Sequence, residues 1–496
     1  MKIILSSRKN HYMRRLSTFL IAAALIGGMV SCAPPIVNEF VHYNLAISNT
    51  TGGSVTAPGE GVFTYDEATL VSLVASPASG YRFVNWTGDV DTIANVNAAS
   101  TTITMNDNYS ITANFIAQYE LTIGSTDSGE VTTPGEGVFT YGAGTVVDLV
   151  AEAEEGYRFV SWTGDVGTIA NVKFASTTIT MNGEYTVTAS FARAIDYSIF
   201  GKLTKIEADP QNGFYWAYYL FIPNSVRSLV EENQTVYLLV EPNNTGYPHD
   251  DQEVHDSAAM TLANRRASFA AQLRVPLLIP TFPRPQPSTA PLYMQALDRN
   301  TMLSTIDEWE RIDLQLTAMV DDATVRLSEK GISLHSKILM MGYSASGMFV
   351  NRFVVMHPDR IQAAAVGSPG GWPIAPLEQW EGISLRYPVG VDDIEDLTGE
   401  EFDIEEFRTV PLYFYLGDVD TNDSVPGPTG WSPANKQLIF EHFGETPIKR
   451  WPIAEQMYDS ARCNSQFVLY PGVGHELTYA MLTDVRNFFL NNMEPR

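Results

Sequence analysis

The chain has 496 residues, 45% of them hydrophobic, a formal net charge of −26 and a sequence pI near 4.6. That length accommodates two or three globular domains. The acidity excludes a nucleic-acid partner, because phosphate binding needs clustered Lys and Arg, and it disfavours a densely polyanionic substrate. Its ordinary effect is solubility.

The N-terminal stretch MRRLSTFLIAAALIGGMVSC has a basic start at Met13-Arg14-Arg15, an apolar run from Leu16 to Val30, and a small Ser31 before Cys32. The run is shorter than the roughly 18 residues of a membrane span and reads as an export signal. Met13 is then a candidate start, with residues 1–12 an upstream extension. The ending Met29-Val30-Ser31-Cys32 resembles the lipobox of bacterial lipoproteins. That resemblance implies a signal peptide over residues 1–31, lipidation of Cys32 and a membrane partner through that anchor. In the family an Asp after the cysteine retains the protein at the inner membrane. Ala33 follows here, which implies the outer membrane or cell surface. Cys463, the only other cysteine, would be left without a disulfide partner.

After a linker over residues 32–42 comes an internal repeat. The stretch TAPGEGVFTY…GYRFVNWTGDV…ASTTITMND from Thr56 recurs as TTPGEGVFTY…GYRFVSWTGDV…ASTTITMNG from Thr132, and Trp86 matches Trp162 at an offset of 76. Alternating runs such as Thr101-Thr102-Ile103-Thr104-Met105 have strand period, and Pro-Gly and Asn-Asp turns punctuate them. Two small all-β modules are expected, residues 43–117 and 118–194. The Gly-Tyr-Arg-Phe-Val-x-Trp-x-Gly core resembles the divergent internalin-type B repeats of bacterial surface proteins. Trp86 and Trp162, with Tyr81 and Tyr157, either form a carbohydrate-stacking platform or fill the core of modules too small to close without one large side chain. The default role is a spacer, with weak surface or glycan contact as the added one.

From about Tyr197 the texture changes, and residues 195–496 read as one domain. YSIFGKLTKIEA and GFYWAYYLFIP form an antiparallel strand pair. Apolar strands at 235–242, 275–282, 337–342, 363–369, 410–417 and 466–472 then alternate with helical stretches: 252–273, 302–330, 346–356, 434–443, 454–461 and 477–489. Such alternation predicts a mainly parallel sheet with helices on both faces, and functional groups at the carboxyl ends of its strands.

Three stretches fall at those ends. Gly342-Tyr343-Ser344-Ala345-Ser346 fits small-x-Ser-x-small, the pattern of a nucleophile elbow, around Ser344; a plain N-capped turn is the alternative. Centring on Ser346 would put bulky Met348 at the outer small position. Of eight histidines, His475 in YPGVGHELT follows the last strand, where an elbow serine needs its base, while His249 and His255 follow the first parallel strand. The acid should lie between serine and histidine in the chain, and YFYLGDVDTNDSV offers Asp418, Asp420 and Asp423, with Asp420 the best match. The same acids have Asp-x-Asp-x-Asn spacing, but Asp423 and Thr429 stand where a calcium loop needs Gly and Glu, so no metal is expected.

With the order Ser344, Asp420, His475, residues 197–496 resemble an α/β hydrolase. The resemblance implies an oxyanion hole from the backbone N–H of Ala345 and of Asn243 or Asn244, the latter in EPNNTG. HPDRIQAAAVGSPGGWPIAP is further similar to secreted esterases and polyester depolymerase-like members. The expected activity is hydrolysis of a small or polymeric carboxylic ester through an acyl-enzyme, with no cofactor. A serine peptidase, and an adhesin using the hydrolase domain as a scaffold, are the alternatives. Residues 370–409 lie where such folds carry a lid, and Trp372, Trp380 and Tyr387 would line an apolar pocket or pack the lid down.

If Cys32 is the lipidated terminus, mass spectrometry of the mature protein will find a diacylglyceryl-modified N-terminal cysteine. A free amino terminus at any other residue rules this out.

Overall fold

Alternation of apolar and polar residues gives each repeat strands with one buried face. The structure is a computed structural model that describes residues 41–494, and the export signal and Cys32 lie outside the described residues. In the first repeat, His42–Asn49, Gly61–Asp66, Tyr81–Gly88 and the beginning of Tyr109–Ser125 form one sheet, while Gly53–Ala57, Leu70–Pro77 and Ser100–Thr104 form another. Leu45, Leu73, Ile103 and Ala113 are fully buried between them. Trp86 is 1% exposed, and its indole N–H donates to the Ala98 carbonyl at 3.1 Å. The second repeat does the same with Trp162, 2% exposed, which donates to the Phe174 carbonyl at 3.0 Å. Of the two roles open in the sequence, both tryptophans take the core one. Large aromatic area is what closes so small a sandwich.

The C-terminal domain is built on an eight-stranded sheet. Its strands are β1 (Leu203–Ile206), β2 (Tyr218–Phe221), β3 (Leu239–Val240), β4 (Leu277–Pro280), β5 (Ile338–Tyr343), β6 (Ile361–Gly367), β7 (Leu412–Gly417) and β8 (Ser465–Tyr470). They lie in the order β1-β2-β4-β3-β5-β6-β7-β8. β2 runs antiparallel to β1 and β4, and every pairing from β4 to β8 is parallel. Helix α1 (Gln252–Leu273) and the C-terminal α6 (Tyr479–Asn492) cover one face, packing Ala263, Phe269, Val485 and Phe489 on Leu239, Leu277 and Leu339. Helices α2 (Ile312–Glu329), α3 (Ala345–Met356) and α5 (Pro447–Ser460) cover the other, with α4 (Pro433–His442) beside them. Along β5, Ile338 and Met340 enter the second core while Leu339 and Met341 enter the first. Burial of both faces explains why the strand reads as an unbroken apolar run. The α/β-hydrolase arrangement implied by the sequence is the one observed.

Two helix limits differ from expectation. The helix expected from about 302 starts at Ile312, because Arg311 takes a left-handed backbone (φ 43°) and turns its guanidinium onto Asp313. The helix expected from 454 starts at Pro447, capped by Thr446, with Pro in its first turn. Among the described residues no helix is long and apolar enough to cross a membrane. Burial pushes the Cys463 thiol up to about 12, so its packing outweighs its chemistry.

The Asp313 side chain is fully buried and accepts from Arg311 at 3.0 and 2.7 Å and from His357 at 2.9 Å. Burial pushes its carboxyl up, but these partners outweigh that and hold it at about 2. A depressed carboxyl contributes stability above its unfolded value of roughly 4 and loses it as pH falls toward the folded value. Asp313→Ala, which removes the shared acceptor of the half-buried Arg311 and His357, should lower the unfolding free energy by about 2–3 kcal/mol at pH 7. The deficit relative to the native chain should shrink between about pH 4 and pH 2, as urea titrations across that range will show.

Candidate active site

The chain leaves β5 and enters α3 through Ser344, whose φ of 64° and ψ of −124° are unfavourable for any residue with a Cβ. Neighbouring backbone holds it there. Ser344 N donates to Gly367 O at 2.9 Å, and Met348 N donates to Ser344 O at 3.0 Å. A Cβ on Gly342 would lie 2.3 Å from Ser346 O, and one on Gly347 would lie 2.3 Å from Gly367 O. Close approach therefore falls on Gly342 and Gly347. Ser346 does more than stay small, which corrects the sequence expectation. Its Oγ accepts from Tyr343 N and donates to Tyr343 O, both at 2.9 Å, clamping the residue before the elbow.

His475 sits in the loop after β8, which crosses the end of β7 so closely that a Cβ on Gly417 would be 2.1 Å from Val473 O. The Tyr343 hydroxyl donates to Glu476 O at 3.1 Å, and its ring lies 5.1 Å from the imidazole. His475 Nδ1 is 2.8 Å from Asp420 Oδ2. The fully buried Asp420 side chain also accepts from Ser368 Oγ at 2.6 Å and Asn422 N at 2.8 Å. Burial pushes this carboxyl up, but the bonds from His475, Ser368 and Asn422 outweigh it and hold it below the usual carboxylate range. An ionised Asp420 fixes the proton on Nδ1, leaving Nε2 as an acceptor. Asn422 Nδ2, 3.1 Å away, donates to it. The Asp418 carboxylate accepts from Gly472 N at 2.7 Å, so the acids of the suspected calcium loop are engaged in separate protein contacts.

Ser344, Ala345, Asn422 and His475 line one cavity of about 540 Å³. Ala345 is the first residue of α3, so its N–H has no intrahelical acceptor. Of the two nominated asparagines, Asn244 lines the cavity, whereas Asn243 does not; it is fully buried, donating to Phe282 O at 2.8 Å. Their loop is pinned from outside: Thr245 N donates to Gln295 Oε1 at 2.9 Å, and Thr245 Oγ1 is 2.7 Å from His255 Nδ1. His255 Nε2 is 2.8 Å from His249 O, so both alternative histidines brace this loop.

Of the two roles open for the aromatics of the 370–409 insertion, lining the cavity is not the one they take. Trp372 is 1% exposed, stacks on Phe443 with centroids 4.4 Å apart, and donates to Val389 O at 2.9 Å. Tyr387 is fully buried with its hydroxyl on Leu297 O, and Trp380 packs on the same apolar cluster as Trp372. Trp372 and Tyr387 find buried hydrogen-bond partners and Trp380 packs against the cluster that holds Trp372, so these aromatics form core. The cavity wall is instead made by Arg284, Tyr293, Met348, Pro428 and Leu477. Sequence reading missed Ser368, Asn422 and Arg284. Ser368 and Arg284 each follow a parallel strand, the position rule that found Ser344, but neither lies in a motif.

Residues 43–118 and 119–195 match the family model of the divergent InlB B-repeat domain. No curated protein sequence was found to match the chain. Among solved structures, the chain is similar to poly(aspartic acid) hydrolase-1 from Sphingomonas sp. KT-1 at 16% identity, over 58% of this chain and 97% of that one, with a TM-score of 0.39. A poly(3-hydroxybutyrate) depolymerase from Bordetella parapertussis is similar at 16% identity, over 60% and 91%, with a TM-score of 0.39. An acetyl xylan esterase from Aspergillus awamori is similar at 16% identity, over 58% and 99%, with a TM-score of 0.31.

Gly347→Ala, which drives a methyl into Gly367 O, should cost at least about 2 kcal/mol of stability, against about 1 kcal/mol for Ser346→Ala, which loses only a hydrogen-bonding hydroxyl. Denaturant unfolding of both variants checks the order, and a more stable Gly347→Ala chain contradicts the close-approach account.

Proposed function

We propose that the C-terminal domain is a serine hydrolase that cleaves carboxylic esters through an acyl-enzyme. The observation that carries this is a serine on a left-handed elbow sharing a cavity with a histidine whose other nitrogen is 2.8 Å from a buried carboxylate. Ser344 Oγ attacks the ester carbonyl as His475 Nε2 takes its proton, and Asp420 stabilises the imidazolium that forms. The N–H groups of Ala345 and Asn244 are assigned to the developing oxyanion, where one such donor is worth about 3–4 kcal/mol of barrier. The imidazolium returns the proton to the departing alcohol. Water, activated by the same nitrogen, then releases the acid and frees Ser344. Nε2 must exchange its Asn422 donor for the Ser344 hydroxyl, a tightening that accompanies substrate binding in many hydrolases. Export and lipid attachment at Cys32 complete the reading, supported by the Met29-Val30-Ser31-Cys32 ending, with the two repeats as a spacer between membrane and domain.

Ser344→Ala and His475→Ala should each remove nearly all turnover of a p-nitrophenyl ester, and the double variant should be little worse, because the residues act as a unit. Asp420→Asn should cost up to about 10⁴-fold in kcat by misplacing the imidazole proton. Ser368→Ala, which leaves Asp420 two of its three donors, should cost about tenfold. A fluorophosphonate probe should label Ser344 alone. Labelling of Ser346, or full turnover in Ser344→Ala, overturns the assignment.

A further inference from the structure

Arg284 follows β4 in the stretch Phe282-Pro283-Arg284-Pro285, and its backbone is fixed on both sides. Its carbonyl accepts from His249 N at 2.8 Å, and its backbone N packs 3.3 Å from His255 Nε2. The half-buried side chain lies over Tyr293, with Cζ 3.8 Å from the ring centroid, and both residues line the cavity that holds Ser344 and His475.

Most of the domain's other shielded guanidinium groups have a protein acceptor. Arg266 is paired with Glu241, Arg311 with Asp313, Arg299 with Asp393 and Arg450 with Asp423, and Arg352 donates to Ala296 O. The Arg284 guanidinium, among the described residues, has no ion-pair partner and donates to no oxygen. Glu476 lines the same cavity without pairing to it. Burial lowers the Arg284 pKa, opposed only by Tyr293. Unlike the sealed Nη2 atoms of Arg352 and Arg450, the Arg284 nitrogens are accessible to a ligand, and stacking on one ring leaves their fork of N–H groups unused.

We infer that Arg284 recognises an anionic group on the substrate, so that the ester taken by this site carries a carboxylate. The inference rests on the hydrolase reading above. A planar guanidinium matches a carboxylate through two parallel N–H···O bonds, and Tyr293 beneath it holds the plane. A single carboxylate is what one arginine serves. A densely charged chain would meet the repulsion of a protein whose net charge is −26. The carboxylate belongs either to the acyl part or to the alcohol part, and the two are separable by experiment.

The acyl-side pair is p-nitrophenyl hemiadipate against p-nitrophenyl hexanoate. The alcohol-side pair is 4-acetoxybenzoate against 4-acetoxybenzamide. Arg284→Gln should lower kcat/KM about 10- to 100-fold on one anionic ester, the worth of a charge-assisted hydrogen bond. The neutral partner should stay within about 2-fold, which also shows that the variant folds. Arg284→Lys should fall between, keeping charge but losing the fork. Equal losses on both members of each pair would make Arg284 a structural residue and overturn the inference. So would unchanged turnover of both anionic esters in Arg284→Gln. Ser344→Ala tests the underlying reading separately: if it still hydrolyses the neutral esters, the hydrolase assignment fails whatever Arg284 does.

Discussion

The contact on which the domain depends is the crossing of β5, α3 and β6 at Ser344. Its backbone sits at φ 64° because Gly367 O accepts from Ser344 N, while Gly342 and Gly347 let helix and strands approach without a side chain between them. Strain of this kind persists only where the surroundings over-determine it. Here they do, since β5 and the start of α3 are buried on every side and Ser346 clamps Tyr343 on both backbone groups. The result is a hydroxyl held at the rim of the sheet and a helix whose first residue, Ala345, lines the same cavity.

Around that crossing, polar side chains are arranged by satisfaction. Asp420 is wholly buried yet accepts from His475, Ser368 and Asn422, so its charge is stabilised by hydrogen bonds and its geometry is fixed. The Asn244 loop is tied down by Gln295 and His255 from behind. Low local dielectric makes each such bond count for more and each orphaned group cost more. Against that background the unpartnered Arg284 stands apart, which is why it is assigned to substrate.

The two repeats solve a different problem. With no disulfide among the described residues, each module has little interior to bury, and a single tryptophan bonded to a backbone carbonyl supplies much of it. The indole that suggested sugar binding is spent on folding, so any contact with a surface or glycan has to come from other residues.

Periodicity and position carried far. The repeat, the strand and helix alternation, the elbow around Ser344 and the approximate places of Asp420 and His475 were all legible, because each depends on local sequence and on the rule that chemistry gathers at strand ends. The choice of Asn244 over Asn243 at the cavity was not legible, nor were the supporting roles of Ser368 and Asn422 or the burial of Trp372 and Tyr387. Those depend on which side chain meets which partner across long stretches of chain: Ser368 with Asp420, Trp372 with Phe443, Tyr387 with Leu297. Spacing along a sequence says where a residue can stand; only packing decides which neighbour takes its hydrogen bond, and so whether it faces a cavity or a core.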